Sequence, residues 1–243
     1  MTVLILGGTA EARSLAHSLV QRGQPVVSSL AGRVSDPALP AGEVRIGGFG
    51  GPDGLASFLR DRQISAVIDA THPFAAQMSR HAALAAESTG LPLLRLARPG
   101  WRTHPRADSW TWVPDTAAAV AASAAGRPFL TTGRQSLRDF LPWADRDVLV
   151  RVVDPPTFEL PERWRLLRSR GPYRYDDERR LLLEHGADVL VTKDSGGDYT
   201  RAKLDAAASL DVDVLVIARP PAEPGVASVS TVVAALAWIE ELS

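Results

Sequence analysis

The sequence predicts an α/β protein built from two Rossmann-like domains with mostly parallel sheets and an active-site cleft between them. Three observations carry that reading. Short runs rich in Val, Ile and Leu recur along the chain, each followed by an alanine- and arginine-rich stretch of helical period, the alternation that βα units produce. The first run ends in a glycine-rich turn, LILGGTAEA, residues 4–12. Periodicity then lapses through WRTHPRADSWTW, residues 101–112, and resumes, which divides the 243 residues into two domain-sized parts.

In the first part the predicted strands are TVLILG (2–7), PVVSSL (25–30), EVRIG (43–47), SAVIDA (65–70) and LPLLRLA (91–97), with helical stretches around 10–21, 53–61 and 75–89. After the lapse come a helix near 115–125, a strand at RPFLTTG (127–133), a helix near 135–140 and strands at DVLVRVV (147–153) and WRLLRS (164–169). Strands at ADVLVTK (187–193) and DVLVIAR (213–219) follow, with helices near 176–185, 200–209 and 230–241 and proline-rich loops at 154–161 and 219–226. The expected boundaries are 1–98 for a cofactor-binding domain, 99–112 for a connector and 113–243 for a second α/β domain. The chain shows no shared motif repeat between its halves and no low-complexity segment.

Composition narrows the chemistry. A formal net charge of −1 gives no general attraction to nucleic acid or an anionic membrane, and no apolar run approaches the length of a membrane span. The expectation is a soluble cytoplasmic protein. With no cysteine, disulfides, thiolate zinc sites and cysteine-ligated clusters are excluded. His17, His72, His81, His104 and His185 make no metal-binding spacing, so no metal is expected. Of the 27 basic residues only Lys193 and Lys203 are lysines, and both fall within VTKDSGGDYTRAK.

A dinucleotide turn needs a tight bend, a small residue where backbone meets pyrophosphate and a small residue where helix packs on strand. Gly7, Thr9 and Ala12 stand at those offsets, with Gly8 adding freedom and Glu11 in the first helical turn. The bland alternative is a helix start capped by Thr9 with no ligand. NAD sites usually place a carboxylate after the second strand, whereas NADP sites offer an arginine to the 2′-phosphate. Here Ser28, Ser29, Gly32 and Arg33 follow, with no carboxylate before Asp36, so the pattern predicts NADPH over NADH. Ligands of open α/β sheets bind beyond the strands' carboxyl ends. Ala70, Thr71, His72 and Pro73, at the end of the fourth strand, would bracket the nicotinamide and its ribose, with Pro73 in the first turn of the next helix. The bland alternative makes His72 a residue that fixes the turn.

LILGGTAEARSLA, SLAGR, VIDATHPFA, LRLARPGW, TTGRQSL, RGPY and LVTKDSGG together resemble the precorrin-6A reductase family, in that order and over nearly the whole chain. The resemblance implies a two-domain reductase of the cobalamin pathway. It would use a reduced nicotinamide cofactor to saturate one C=C bond of precorrin-6A, giving precorrin-6B. A departure is Asp194 in TKDSGG, where the family frequently carries asparagine or another polar residue.

A polycarboxylate macrocycle calls for several cationic and hydroxyl donors over a wide surface. Thr132, Gly133, Arg134 and Ser136 after one predicted strand, Arg170 in RGPY, and Lys193, Ser195, Gly196 and Gly197 after another supply them. Candidate proton donors are Lys193, Tyr173, Tyr175 or water. Two rival readings remain. Tyr199 and Lys203 have the Y-x-x-x-K spacing of short-chain dehydrogenases, although an exposed helical pair is the simpler account. A nucleotide sensor that binds NADPH without reducing anything is the non-enzymatic alternative.

Overall fold

The computed structural model describes residues 1–32, 39–123 and 126–242. Two compact units divide the chain, one formed by Met1–Pro99 with Pro220–Ser243 and the other by Gly100–Arg219.

The first unit contains strands β1 (Thr2–Leu6), β2 (Val26–Leu30), β3 (Glu43–Ile46), β4 (Ile64–Asp69) and β5 (Leu93–Leu96), with helices α1 (Ala10–Gln21), α2 (Pro52–Asp61) and α3 (Ala76–Thr89). The C-terminal segment adds β12 (Ala227–Val229) and α7 (Val232–Glu241). The six strands run parallel in the order β12-β5-β4-β1-β2-β3, the arrangement of a dinucleotide-binding sheet. Alternation along each strand feeds two cores. Val3, Ile5, Ile68 and Leu94 pack with Leu15, Leu236 and Ile239 of α1 and α7. Leu4, Leu6 and Val67 pack with Leu55 and Leu59 of α2 and with Ala82 and Ala85 of α3.

The second unit holds β6 (Thr111–Val113), β7 (Pro128–Leu130), β8 (Val148–Val152), β9 (Trp164–Arg168), β10 (Val189–Lys193) and β11 (Asp213–Ile217). Helices α4 (Thr116–Ala122), α5 (Tyr175–His185) and α6 (Ala202–Ser209) connect them, with a 3-10 stretch over Arg134–Trp143. Its strands are also all parallel, ordered β6-β11-β10-β7-β8-β9.

Three expectations change. Residues 220–243 belong to the first unit, not the second, because β12 pairs with the edge strand β5 and α7 buries Ala235, Leu236 and Ile239 beside α1. A three-residue strand is too short to show a period in sequence. The stretch read as a connector is core: Trp101, Ala107 and Trp110 are buried in the second unit, and β6 pairs with β11. The helix read near 135–140 is the 3-10 stretch, which carries Pro142 near its end, where no N–H is available for a hydrogen bond.

Candidate active site

In each sheet the strand order reverses once, and both reversal points carry sequence-predicted loops. In the first unit the reversal lies between β1 and β4, which end at Leu6 and Asp69 in register. The β1 loop turns sharply. The Gly7 amide donates to the Ser29 carbonyl at 2.9 Å, and a Cβ at Gly7 would lie 3.3 Å from Leu30 Cδ2. Gly8 has φ +112, which favours glycine, and a Cβ there would meet nothing within 4 Å. A bend with open space beside it, leading into the first turn of a twelve-residue helix, fits a dinucleotide phosphate.

Thr9 does two jobs. Its Oγ1 accepts from the Ala12 amide at 3.1 Å as the cap of α1 and donates to the Ala70 carbonyl at 2.8 Å. The cap reading therefore holds, and the same hydroxyl ties the glycine loop to the end of β4. Ala12 is buried under the helix, while Glu11 pairs with Arg98 at 2.8 Å.

Asp69 and Arg95 were not among the sequence-predicted site residues, yet they hold the next loop. The buried Asp69 Oδ1 accepts from the Thr71 amide and hydroxyl at 3.1 and 2.7 Å and pairs with Arg95 at 2.6 Å. Arg95 also donates to the Thr71 hydroxyl and carbonyl, to the Asp69 carbonyl and to Ser79 on α3. Their sequence signal was a charge at the end of each of two apolar strands. His72 Nδ1 accepts from the Phe74 amide at 3.2 Å, which holds the imidazole against its own turn. The Ala75 amide donates to the His72 carbonyl, closing a turn that contains Pro73. Pro73 therefore sits in this turn, and α3 starts three residues later at Ala76, contrary to the expected first-turn position.

At the end of β2, Ser28 and Ser29 are buried, and Ser28 Oγ has no hydrogen-bond partner among the described residues. Gly32 turns with φ +68 against Ile46 of β3. Arg33 lies outside the described residues, as does Asp36.

In the second unit the reversal lies between β7 and β10, so the TTGR and TKDSGG loops share one rim. The Thr131 amide donates to the Val191 carbonyl at 2.9 Å. Thr132 Oγ1 is buried with no partner among the described residues. Gly133 bends at φ +80, Arg134 reaches the Pro155 carbonyl, and the buried Ser136 hydroxyl donates to the carbonyls of Thr132 and Gly133. Gly196 and Gly197 both take left-handed conformations after Ser195. The RGPY loop touches this segment, with the Tyr173 amide donating to the Tyr199 carbonyl at 3.4 Å. Arg170 is exposed, as is Tyr175, the first residue of α5. Tyr173 donates its phenol proton to the Ser169 carbonyl and packs its ring 3.8 Å from the Arg151 guanidinium; burial raises its pKa.

Lys203 is the largest surprise. Tyr199 is exposed and precedes α6, whereas Lys203 is 3% exposed, so they form neither a dehydrogenase pair nor an exposed helical pair. The α6 face carrying Lys203 points inward. Its ammonium donates to Thr131 Oγ1 at 3.2 Å and lies 5.2 Å from the Trp101 ring centroid. Burial, with Arg151 adding repulsion, lowers its pKa to about 7 against the opposing pull of Glu178. Arg151 and Glu178 form a buried ion pair beside it. Arg151 stands in the sequence as a lone charge inside VLVRVV, residues 148–153.

A parallel sheet ordered β3-β2-β1-β4-β5-β12 with a glycine bend at its reversal point, in a chain that also forms a second parallel α/β unit, places the protein in the Rossmann-like α/β class that binds dinucleotides. Residues 2–240 match the family described as Precorrin-6x reductase CbiJ/CobK, and the chain belongs to that family. It is 49% identical over 244 residues to a protein of Rhodococcus erythropolis named precorrin-6A reductase, covering 99% of this chain and 98% of that one. A Mycobacterium tuberculosis protein of the same name is 51% identical over 241 residues, with 99% and 98% covered. The solved structure titled CobK precorrin-6A reductase superposes with a TM-score of 0.94 at 41% identity, covering all of this chain and 97% of that one. The chain is thus a reductase of cobalamin biosynthesis that uses a nicotinamide cofactor on a small tetrapyrrole. Among the described residues no helix is long and apolar enough to cross a membrane.

Proposed function

We propose that this chain reduces one C=C bond of the precorrin-6A macrocycle to give precorrin-6B, with NADPH as the reductant. The observation that carries the reading is the Gly7-Gly8-Thr9 bend at the reversal point of a sheet that matches the CobK fold throughout. When bound, the cofactor supplies a hydride to one carbon of the reduced bond. Gly7, Gly8 and the amides that open α1 hold its phosphates, with Glu11, paired to Arg98, and Ala12 completing that turn. Ser28, Ser29, Gly32 and Arg33 receive the adenosine ribose and its 2′-phosphate. Ala70, Thr71, His72 and Pro73 form the wall beside the nicotinamide, kept rigid by Asp69 and Arg95.

The substrate's carboxylates meet Arg134, Arg170 and Lys193 together with Thr132, Ser195 and the amides of Gly133, Gly196 and Gly197. Ser136 holds the TTGR turn through two carbonyls and acts at one remove. The neighbouring carbon of the reduced bond takes a proton. Lys193, at the end of β10 on the rim, is the donor we favour, because Tyr173 commits its phenol proton to Ser169 and Tyr175 stands exposed on α5. We place this chemistry in the cytoplasm.

Anaerobic mixing with precorrin-6A and NADPH tests the reading. Loss of the reduced nicotinamide band together with a matching change in the macrocycle spectrum, faster with NADPH than with NADH, supports it. NADPH binding with intact substrate left unchanged overturns it in favour of a sensor.

A further inference from the structure

We propose that Arg45, on the edge strand β3, is a specificity-determining residue that grips the cofactor's 2′-phosphate. The inference rests on the NADPH reading above and deepens it. Arg45 aligns with Ser29 in the β2–β3 register, and Ser29 with Leu6 at the end of β1, so its guanidinium stands at the carboxyl end of β2. That is where dinucleotide folds meet the adenosine ribose.

The guanidinium is held open. Arg45 Nη1 donates to Ser29 Oγ at 3.3 Å and to the Gly47 carbonyl at 2.6 Å, and Nη2 donates to the Gly48 carbonyl at 2.6 Å. The Phe49 ring supports it from one face, 3.8 Å from ring centroid to Cζ. Those contacts use three of the five N–H groups, so Nε and the second Nη2 proton have no acceptor among the described residues. Nor does Arg45 form an ion pair among the described residues, although the neighbouring Glu43 does, with Arg62.

A purely structural arginine that braces two carbonyls would gain from a carboxylate partner, and none of the described residues supplies one. A pre-positioned guanidinium fork beside a serine hydroxyl at a ribose position suits a dianionic phosphate.

The test is calorimetric binding of NADPH, NADH and 2′,5′-ADP to the whole protein and to Arg45→Met, which keeps an unbranched apolar side chain and removes the charge. The expected result is a loss of roughly 10- to 100-fold in NADPH and 2′,5′-ADP affinity, the scale of one lost charge-assisted contact, with NADH affinity unchanged. Unchanged NADH binding also reports that the variant is folded, and Arg45→Lys should recover part of the NADPH affinity. Equal weakening of NADPH and NADH would make Arg45 a brace and overturn the proposal. So would an Arg45→Met variant that keeps the wild-type preference. A wild type that binds NADPH and NADH equally would overturn the NADPH reading itself.

Discussion

Lys203→Met should flatten a rise in stability with pH that the wild type shows above neutrality. In the folded chain Lys203 is buried and its pKa is lowered from 10.5 to about 7, first by burial and then by Arg151, with Glu178 opposing. In the unfolded chain it returns to its ordinary value. Between these two values the unfolded state binds more protons at this residue, so stability increases as pH rises through that window. Below it the ammonium is charged in both states, and the folded protein carries the full cost of a buried charge. The slope reaches at most about 1.4 kcal/mol per pH unit, so stability should gain roughly 2–3 kcal/mol between about pH 7.5 and 9.5. Methionine keeps the chain length beside Trp101 and cannot titrate. Urea unfolding at several pH values, followed by tryptophan fluorescence, is the assay, because five of the six tryptophans, Trp101, Trp110, Trp112, Trp143 and Trp164, lie in the second unit. Wild-type and variant midpoints that run parallel across that range would refute the placement of a desolvated amine at this position.

Other consequences are as direct. Glu178→Gln leaves Arg151 buried without its carboxylate and should cost about 3–5 kcal/mol of second-unit stability, read from the same urea curves. Arg95→Met strands the buried Asp69 carboxylate and unties Thr71; NADPH affinity should fall, and the urea midpoint followed by far-ultraviolet circular dichroism should drop. Gly100→Ala would place a Cβ 2.6 Å from Asp194 Oδ2, and differential scanning calorimetry should show a loss of about 1–3 kcal/mol. His185 accepts from Arg165 and donates to the Pro128 carbonyl, and burial lowers its pKa. Its neutral form therefore adds stability that is lost as pH falls below the ordinary histidine value of about 6.5, and His185→Gln should remove that acid-side slope.

The parallel α/β architecture was legible because most buried parallel strands write short apolar runs, and ten of the twelve strands among the described residues coincide with runs read from sequence. The two that were missed, β6 and β12, are three residues each and owe their existence to edge pairing with β11 and β5. The same edge pairing drew residues 220–243 back to the first unit, a long-range consequence that local pattern does not encode. At the site, the loops were legible because glycine and proline punctuate strand ends, as at Gly7-Gly8 and Thr71-His72-Pro73. The braces behind them were not. Arg95 shows in sequence only as a charge near the end of an apolar strand and Arg45 only as one of many arginines, and strand register is what puts one beside Asp69 and the other beside Ser29. Lys203 misled for a related reason: a lysine at a helix start is usually solvated, and here the α6 face that carries it also carries Leu204, Ala206 and Ala207 into the core.

The same dependence on distant partners explains Asp194. The main chain passes between the units twice, at Pro99–Gly100 and at Arg219–Pro220, and both passages are tied to this one residue. Asp194 Oδ1 accepts from the Trp101 amide at 2.9 Å, Oδ2 lies 3.4 Å from Arg219 Nε, and that nitrogen also donates to the Asp194 carbonyl at 2.9 Å. Gly100 has no side chain because the carboxylate occupies the space a Cβ would need. An asparagine at this position would still accept from the Trp101 amide through its carbonyl oxygen, but it would give up the ion pair with Arg219. The carboxylate in TKDSGG is therefore committed to the scaffold through Trp101 and Arg219. A loop proposed to hold a polycarboxylate tolerates an acid at its centre because that acid is already neutralised by Arg219 and turned toward the backbone of Trp101.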